Sequence, residues 1–142
     1  MRDPNCIFCK IVAGEIPSKK IYEDETTIAF LDIYPANPGH TLVVAKDHFS
    51  TILGIPEDNL YNLSKVLKKV ASSIRESMNA EGLNILQFNG SVAGQTIPHL
   101  HFHLIPRSKD DGLGFAWPHR QLPEEEMEAT RKKLAEKMGY RG

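Results

Sequence analysis

The stretch His99-Leu100-His101-Phe102-His103-Leu104-Ile105 decides how this chain is read. Side chains on a strand alternate between two faces, so residues i, i+2 and i+4 share one of them. The three histidines therefore point one way, and Leu100, Phe102 and Leu104 point the other way, into a core. A helix would scatter the imidazoles around its axis. Neighbouring histidines on that face stand about 7 Å apart, twice the rise per strand residue. Such a row admits two chemistries. One is a metal site, because imidazole binds zinc and a strand supplies ligands as His-x-His. His101 and His103 would then be the ligands of a zinc hydrolase. The other is nucleophilic and acid–base chemistry. Imidazole, with an ordinary pKa near 6.5, is mostly neutral at pH 7. Attack on phosphorus would give a phosphohistidine and divide one hard displacement into two easier ones. Neighbouring imidazoles would hydrogen-bond the phosphate oxygens or protonate the leaving group.

The loop before the run favours the second chemistry. Asn89-Gly90-Ser91-Val92-Ala93-Gly94-Gln95-Thr96 joins two glycines to side chains that donate hydrogen bonds. Glycines let backbone N–H groups come close to a phosphate, so the loop reads as an anion cradle.

Working outward, the pattern predicts four more strands, over residues 19–23, 26–32, 40–45 and 83–88, with the histidine strand over 99–106. A long helix is expected over 57–79. Pro56 suits its first turn, and Glu57 and Asp58 suit the positive end of its dipole. Leu60, Leu63, Leu67, Val70, Ala71, Ile74 and Met78 make its apolar stripe. Residues 6–13 suit a short helical turn with Ile7, Phe8 and Ile11 on one side, and residues 124–138 a charged final helix. The fold class is α+β: a five-stranded antiparallel sheet with one long helix and a C-terminal helix.

The 142 residues suit one domain, 1–142, with an N-terminal turn (1–14) and a C-terminal segment (108–142). Lys plus Arg number 17 and Asp plus Glu 18, so the basic excess of a general nucleic-acid binder is missing. No apolar run reaches the roughly 18 residues of a membrane span. The start, Met1-Arg2-Asp3-Pro4-Asn5, lacks the apolar stretch of a signal peptide, so a cytoplasmic location is expected. Cys6 and Cys9 are the only cysteines. The C-x-x-C pair reads as a redox site, as an incidental pair, or as half of a structural zinc site. In the last case the chain must close the tetrahedron with histidine, and His48 and His99 are the candidates. That would leave His101 and His103 for the chemistry.

The run from His99 to Ile105 resembles the His-φ-His-φ-His-φ-φ signature (φ apolar) of the histidine triad superfamily of nucleotide hydrolases and transferases. Ile7-Phe8, Phe30-Leu31-Asp32-Ile33, Pro38-Gly39-His40-Thr41-Leu42-Val43, Asn89-Gly90 and Gly94-Gln95-Thr96 follow in the order of that family, and the pattern is most similar to the Hint branch in its zinc-containing microbial form. The resemblance implies that His101 is the nucleophile for the α-phosphorus of a purine nucleotide. His103 would contact the phosphate and assist the leaving group, and His40 would support the nucleophile's side of the site. Asn89, Gly94, Gln95 and Thr96 would bind phosphate and Asp32 the ribose. Ile7, Phe8, Ile11, Phe30 and Ile33 would form the slot for the base. Cys6, Cys9, His48 and His99 would hold a structural zinc, and the protein would be a homodimer.

Two features qualify the resemblance. Pro106-Arg107 stands where many Hint proteins have two glycines and is shared with dinucleoside polyphosphate hydrolases. Phe115-Ala116-Trp117-Pro118 resembles a Hint segment that lies near the partner's site. The expected activity is hydrolysis of purine nucleoside phosphoramidates or adenylated amines. The alternatives are hydrolysis of dinucleoside polyphosphates and a non-catalytic nucleotide-binding module. All of this requires an accessible imidazole at position 101, which the sequence places on an exposed face.

Overall fold

The computed structural model describes residues 1–142. The order of elements is α1 (Ile7–Val12), β1 (Lys20–Glu23), β2 (Thr27–Leu31), β3 (Thr41–Ala45), α2 (Glu57–Ser77), β4 (Gly82–Gln87), a 3-10 turn at Ser91–Ala93, β5 (His101–Arg107) and α3 (Glu124–Met138). The five strands form one antiparallel sheet in the order β1-β2-β3-β5-β4. The expected α+β architecture is therefore the observed one.

The period-two pattern assigns the two faces of the sheet. Ala29, Val43, Ala45 and Leu104 lie on one face and pack against Leu63, Val66, Val70 and Ile74 of α2. Ile28, Phe30, Leu42 and Val44 lie on the other and pack against Cys6, Phe8 and Cys9 around α1. The β3–β5 register sets Leu42 opposite His103 and Val44 opposite His101. Both imidazoles thus belong to the α1 face, and Leu104 belongs to the α2 face.

The element boundaries differ from the sequence expectation by at most two residues, and two differences have structural consequences. The strand begins at His101, two residues later than predicted, because the backbone of Leu100 donates to the carbonyl of Phe49 instead of entering the β3 ladder. His99 is therefore free of the strand and serves another site. The buried stripe of α2 is Leu63, Val66, Val70 and Ile74. Val66, absent from the expected stripe, is buried, whereas Leu60 and Met78 at the ends of that stripe are not, and Met78 is 43% exposed. Residues 124–138 form the final helix as expected, and none of them is buried.

Leu104 is fully buried in the α2-side core. Leu104→Ala leaves a cavity between sheet and helix and should lower the unfolding free energy by about 2–5 kcal/mol, read from the shift in urea midpoint.

Candidate active site

A cavity of about 450 Å3 opens on the α1 face of the sheet. That size suits a small-molecule ligand. Ile7, Phe8 and Ile11 of α1 and Phe30 and Ile33 from β2 and the turn after it line it. Asp32, Thr96, His101 and His103 supply its polar groups. Leu42 and Ile97 also line it, and the sequence reading did not name them. Leu42 was within reach of it, because it alternates in phase with His40 and Val44. Ile97 had no signal, since its place depends on the path of the loop. A second cavity, of about 370 Å3, lies on the α2 side and includes Tyr22 and Lys69 but no histidine.

His101 is not on an exposed face, contrary to expectation. Only 5% of it is accessible. Phe8 stands edge-on to its ring at 5.0 Å between centroids, and the His103 ring centroid also lies 5.0 Å away. It is nevertheless a lining residue of the cavity. Its Nδ1 lies 2.6 Å from the carbonyl oxygen of His99. A carbonyl only accepts, so Nδ1 carries the proton and Nε2 keeps its lone pair.

The same logic orients the next two rings. The N–H of Ala36 donates to Nδ1 of His40 at 2.9 Å. The proton of His40 is therefore on Nε2, which lies 2.9 Å from Nδ1 of His103. His103 accepts there and carries its own proton on Nε2. Asp32 Oδ2 is 3.6 Å from His40 Nε2, too long for a good hydrogen bond. Its Oδ1 accepts from the N–H of Tyr34. Asp32, His40 and His103 lie close enough to suggest a metal site. The hydrogen bond between the two rings occupies the lone pair such an ion would need. The sequence could not show Ala36 as part of this relay, because it acts through its backbone.

Burial pushes His40, His101 and His103 below the ordinary histidine range, and it pushes His103 down to about 4. The charge of Asp32 pulls the other way on each of them but does not prevail. The rings are therefore neutral at pH 7, as a nucleophile and a hydrogen-bond relay require.

The loop before β5 departs from its expected role in part. Thr96 reaches the cavity. Asn89 and Gln95 spend their side chains inside the protein: Asn89 Oδ1 accepts from the N–H of Ile52, and the Gln95 amide donates to the carbonyls of Ser50 and Ile97. Gly94 takes the left-handed conformation that closes the 3-10 turn. These three shape the loop and do not line the cavity.

Cys6, Cys9, His48 and His99 converge beside the cavity, with their ligand atoms all within 4.8 Å of one another. Cys6 Sγ is 3.3 Å from His99 Nδ1, and Cys9 Sγ is 3.5 Å from His48 Nδ1 and 3.6 Å from His99 Nδ1. Thiolate and imidazole ligands on one tetrahedral zinc stand about 3.6 Å apart, given bonds of about 2.3 and 2.0–2.1 Å. Nε2 of His99 donates to the carbonyl of Ala45 at 2.6 Å, which leaves Nδ1 as the ligating nitrogen. The donor set and its spacing fit such an ion. The redox and incidental readings of the cysteines do not explain the two imidazoles.

The HIT domain family matches residues 13–110. The chain belongs to this family. It is similar to the adenosine 5'-monophosphoramidase HNT1 of Candida albicans, with 41% identity over 140 residues, 94% of this chain and 91% of that protein. A HIT-like protein of Methanocaldococcus jannaschii is 51% identical over 107 residues, 75% of this chain and 82% of that one. Among solved structures, a Streptococcus mutans protein superposes with a TM-score of 0.92 at 37% identity, covering 96% of this chain and 87% of that one. A histidine triad nucleotide-binding protein of Candida albicans gives 0.86 at 39%, covering 95% and 98%.

In this HIT protein the unfolded chain protonates His103 near 6.5, whereas the folded chain holds it neutral down to about 4. Stability should therefore fall as pH drops from 6.5 to 4, as the unfolded state takes up a proton that the folded state refuses. Urea midpoints measured across that window should show the slope, and His103→Asn should make it shallower, with His40 and His101 supplying part of the remainder.

Proposed function

We propose that this HIT protein hydrolyses purine nucleoside phosphoramidates or related adenylated amines through a nucleotidyl-histidine at His101. The observation that carries the reading is the hydrogen bond from His101 Nδ1 to the His99 carbonyl, which leaves Nε2 as the free nucleophilic nitrogen. The name of the Candida albicans relative, an adenosine 5'-monophosphoramidase, supports the choice of bond.

Nε2 of His101 attacks the α-phosphorus and the P–N bond breaks. The amine leaves with the bonding pair and takes one proton from solvent. Nε2–H of His103 donates to the phosphoryl oxygen or the departing nitrogen, with His40 holding it in that tautomer. The adduct is a cationic imidazole, and its Nδ1–H to the His99 carbonyl becomes a charge-assisted bond. Water then attacks phosphorus, the N–P bond breaks, and nucleoside monophosphate leaves with release of two protons. Asp32 accepts from the ribose hydroxyls, Thr96 faces the phosphate, and Asn89, Gly94 and Gln95 hold that loop. Ile7, Phe8, Ile11, Phe30 and Ile33 enclose the base.

Cys6, Cys9, His48 and His99 would hold a structural zinc, which supplies no open position for water. The protein acts as a homodimer. The exposed apolar residues Phe115, Trp117 and Leu122 of the C-terminal segment are in keeping with that. The arginine of Pro106-Arg107 does not argue for dinucleoside polyphosphates, because its guanidinium is occupied by Asp111, Asn84 and the Leu113 carbonyl.

Acid quench during turnover of a radiolabelled adenylate should trap label on His101. His101→Asn should lose the trapped species and at least about 10^3-fold of kcat while keeping nucleotide affinity. Turnover surviving that change would overturn the assignment.

Metal analysis should find about one zinc per chain, and the Cys6→Ala, Cys9→Ala double variant should lose it and melt at a lower temperature. Full zinc content in the variant would rule out this ligand set.

A further inference from the structure

Arg107 and Asp111 lie outside the cavity, yet their contacts lead to its histidines. Arg107 donates to both carboxylate oxygens of Asp111, at 2.7 and 2.9 Å. It also donates to Asn84 Oδ1 and to the carbonyl of Leu113. Asp111 is nearly enclosed, with 8% of its side chain exposed. It further accepts from the N–H groups of Ser108 and Leu113. Its last partner comes from across the chain, as Asn37 Nδ2 donates to Oδ2 at 2.9 Å. The same amide nitrogen donates to the carbonyl of Pro106 at 3.0 Å.

Asn37 belongs to the turn between β2 and His40. Its own carbonyl accepts from the N–H of His40, and its neighbour Ala36 supplies the N–H that caps Nδ1 of His40. Gly39, at φ +93°, lets this turn close on Met78 and Pro106, where a Cβ would meet side-chain carbons at 2.9 and 3.0 Å. The turn is thus clamped at one end by packing and at the other by two hydrogen bonds from one amide.

We propose that Asn37, held by the Arg107–Asp111 ion pair, is the positioning residue that keeps the Ala36 N–H on His40 and so fixes the tautomer of His103. Both acceptors facing the Asn37 amide are oxygens, so only a side chain with two N–H donors satisfies them. Without the clamp the Ala36 N–H drifts, and the two neutral forms of His40 become comparable in energy. A share of His103 then carries its proton on Nδ1 and presents a lone pair to the phosphate. The proposal rests on the function assigned above for the rate effect, but the tautomer effect is independent of it.

The test compares Asn37→Ala with Asn37→Asp. The aspartate has nearly the same shape as asparagine but no donor, and it faces Asp111 with a like charge. Hydrolysis of adenosine 5'-phosphoramidate should fall about tenfold in kcat for the alanine variant, the factor one hydrogen bond carries, with KM within about threefold. The aspartate variant should lose more. A merely space-filling role predicts the reverse order. Long-range 1H–15N spectra should show one tautomer each for His40 and His103 in the parent protein and mixed tautomers in the variants. Arg107→Lys keeps the charge, loses the two-point grip on Asp111, and should give a smaller change of the same kind. Unmixed tautomers in all folded variants, or the reverse order of losses, overturn the proposal. If the parent protein does not turn over phosphoramidate, the assigned function fails, and the spectra alone decide the positioning role.

Discussion

The carbonyl of His99 accepts a proton-bearing nitrogen of His101 at 2.6 Å, and the direction of that bond governs the chemistry of the cavity. A neutral imidazole has one donor and one acceptor nitrogen, and the two exchange freely in water. Here backbone groups decide between them. The His99 carbonyl makes His101 an acceptor toward the cavity. The Ala36 N–H, relayed through His40, makes His103 a donor toward it. A free acceptor nitrogen and a hydrogen-bond donor thus stand on adjacent positions of one strand face, though both are the same residue type. Burial supports this by keeping the rings neutral at pH 7.

His99 joins two parts of the protein. Its carbonyl orients His101, its Nδ1 faces the two cysteine sulfurs, and its Nε2 is anchored on the Ala45 carbonyl. It can serve all three because it precedes the strand rather than lying within it. The histidine signature thus divides its labour: one residue for the cluster, two for the cavity. Phe8 seals the division, edge-on to both His99 and His101.

The sheet was legible because period two is a strong local signal: the alternation of histidine with Leu100, Phe102 and Leu104 names the strand and its two faces. The motif order made the cavity's lining legible as well, with Ile7, Phe8, Phe30 and Asp32 all in place. What escaped was set by contacts distant in sequence. The burial of His101 follows from α1 folding over it, which no local pattern announces. Asn89 and Gln95 are polar loop residues whose targets, Ile52 and Ser50, lie some 37 and 45 residues away. Val66 is buried because of where α2 crosses the sheet. The partner of Arg107 is only four residues off, but its link to Asn37 spans 74.

The cavity is sewn together from the two ends of the chain. His40 meets His103 across 63 residues, and Cys6 meets His99 across 93. Closing such loops costs entropy that is recovered only when the sheet is nearly complete. During synthesis the histidine run emerges after about two thirds of the protein, and β5, which carries it, also joins β3 to β4, so the sheet cannot close before it. The wall of the cleft and its two imidazoles therefore arrive together, on one strand.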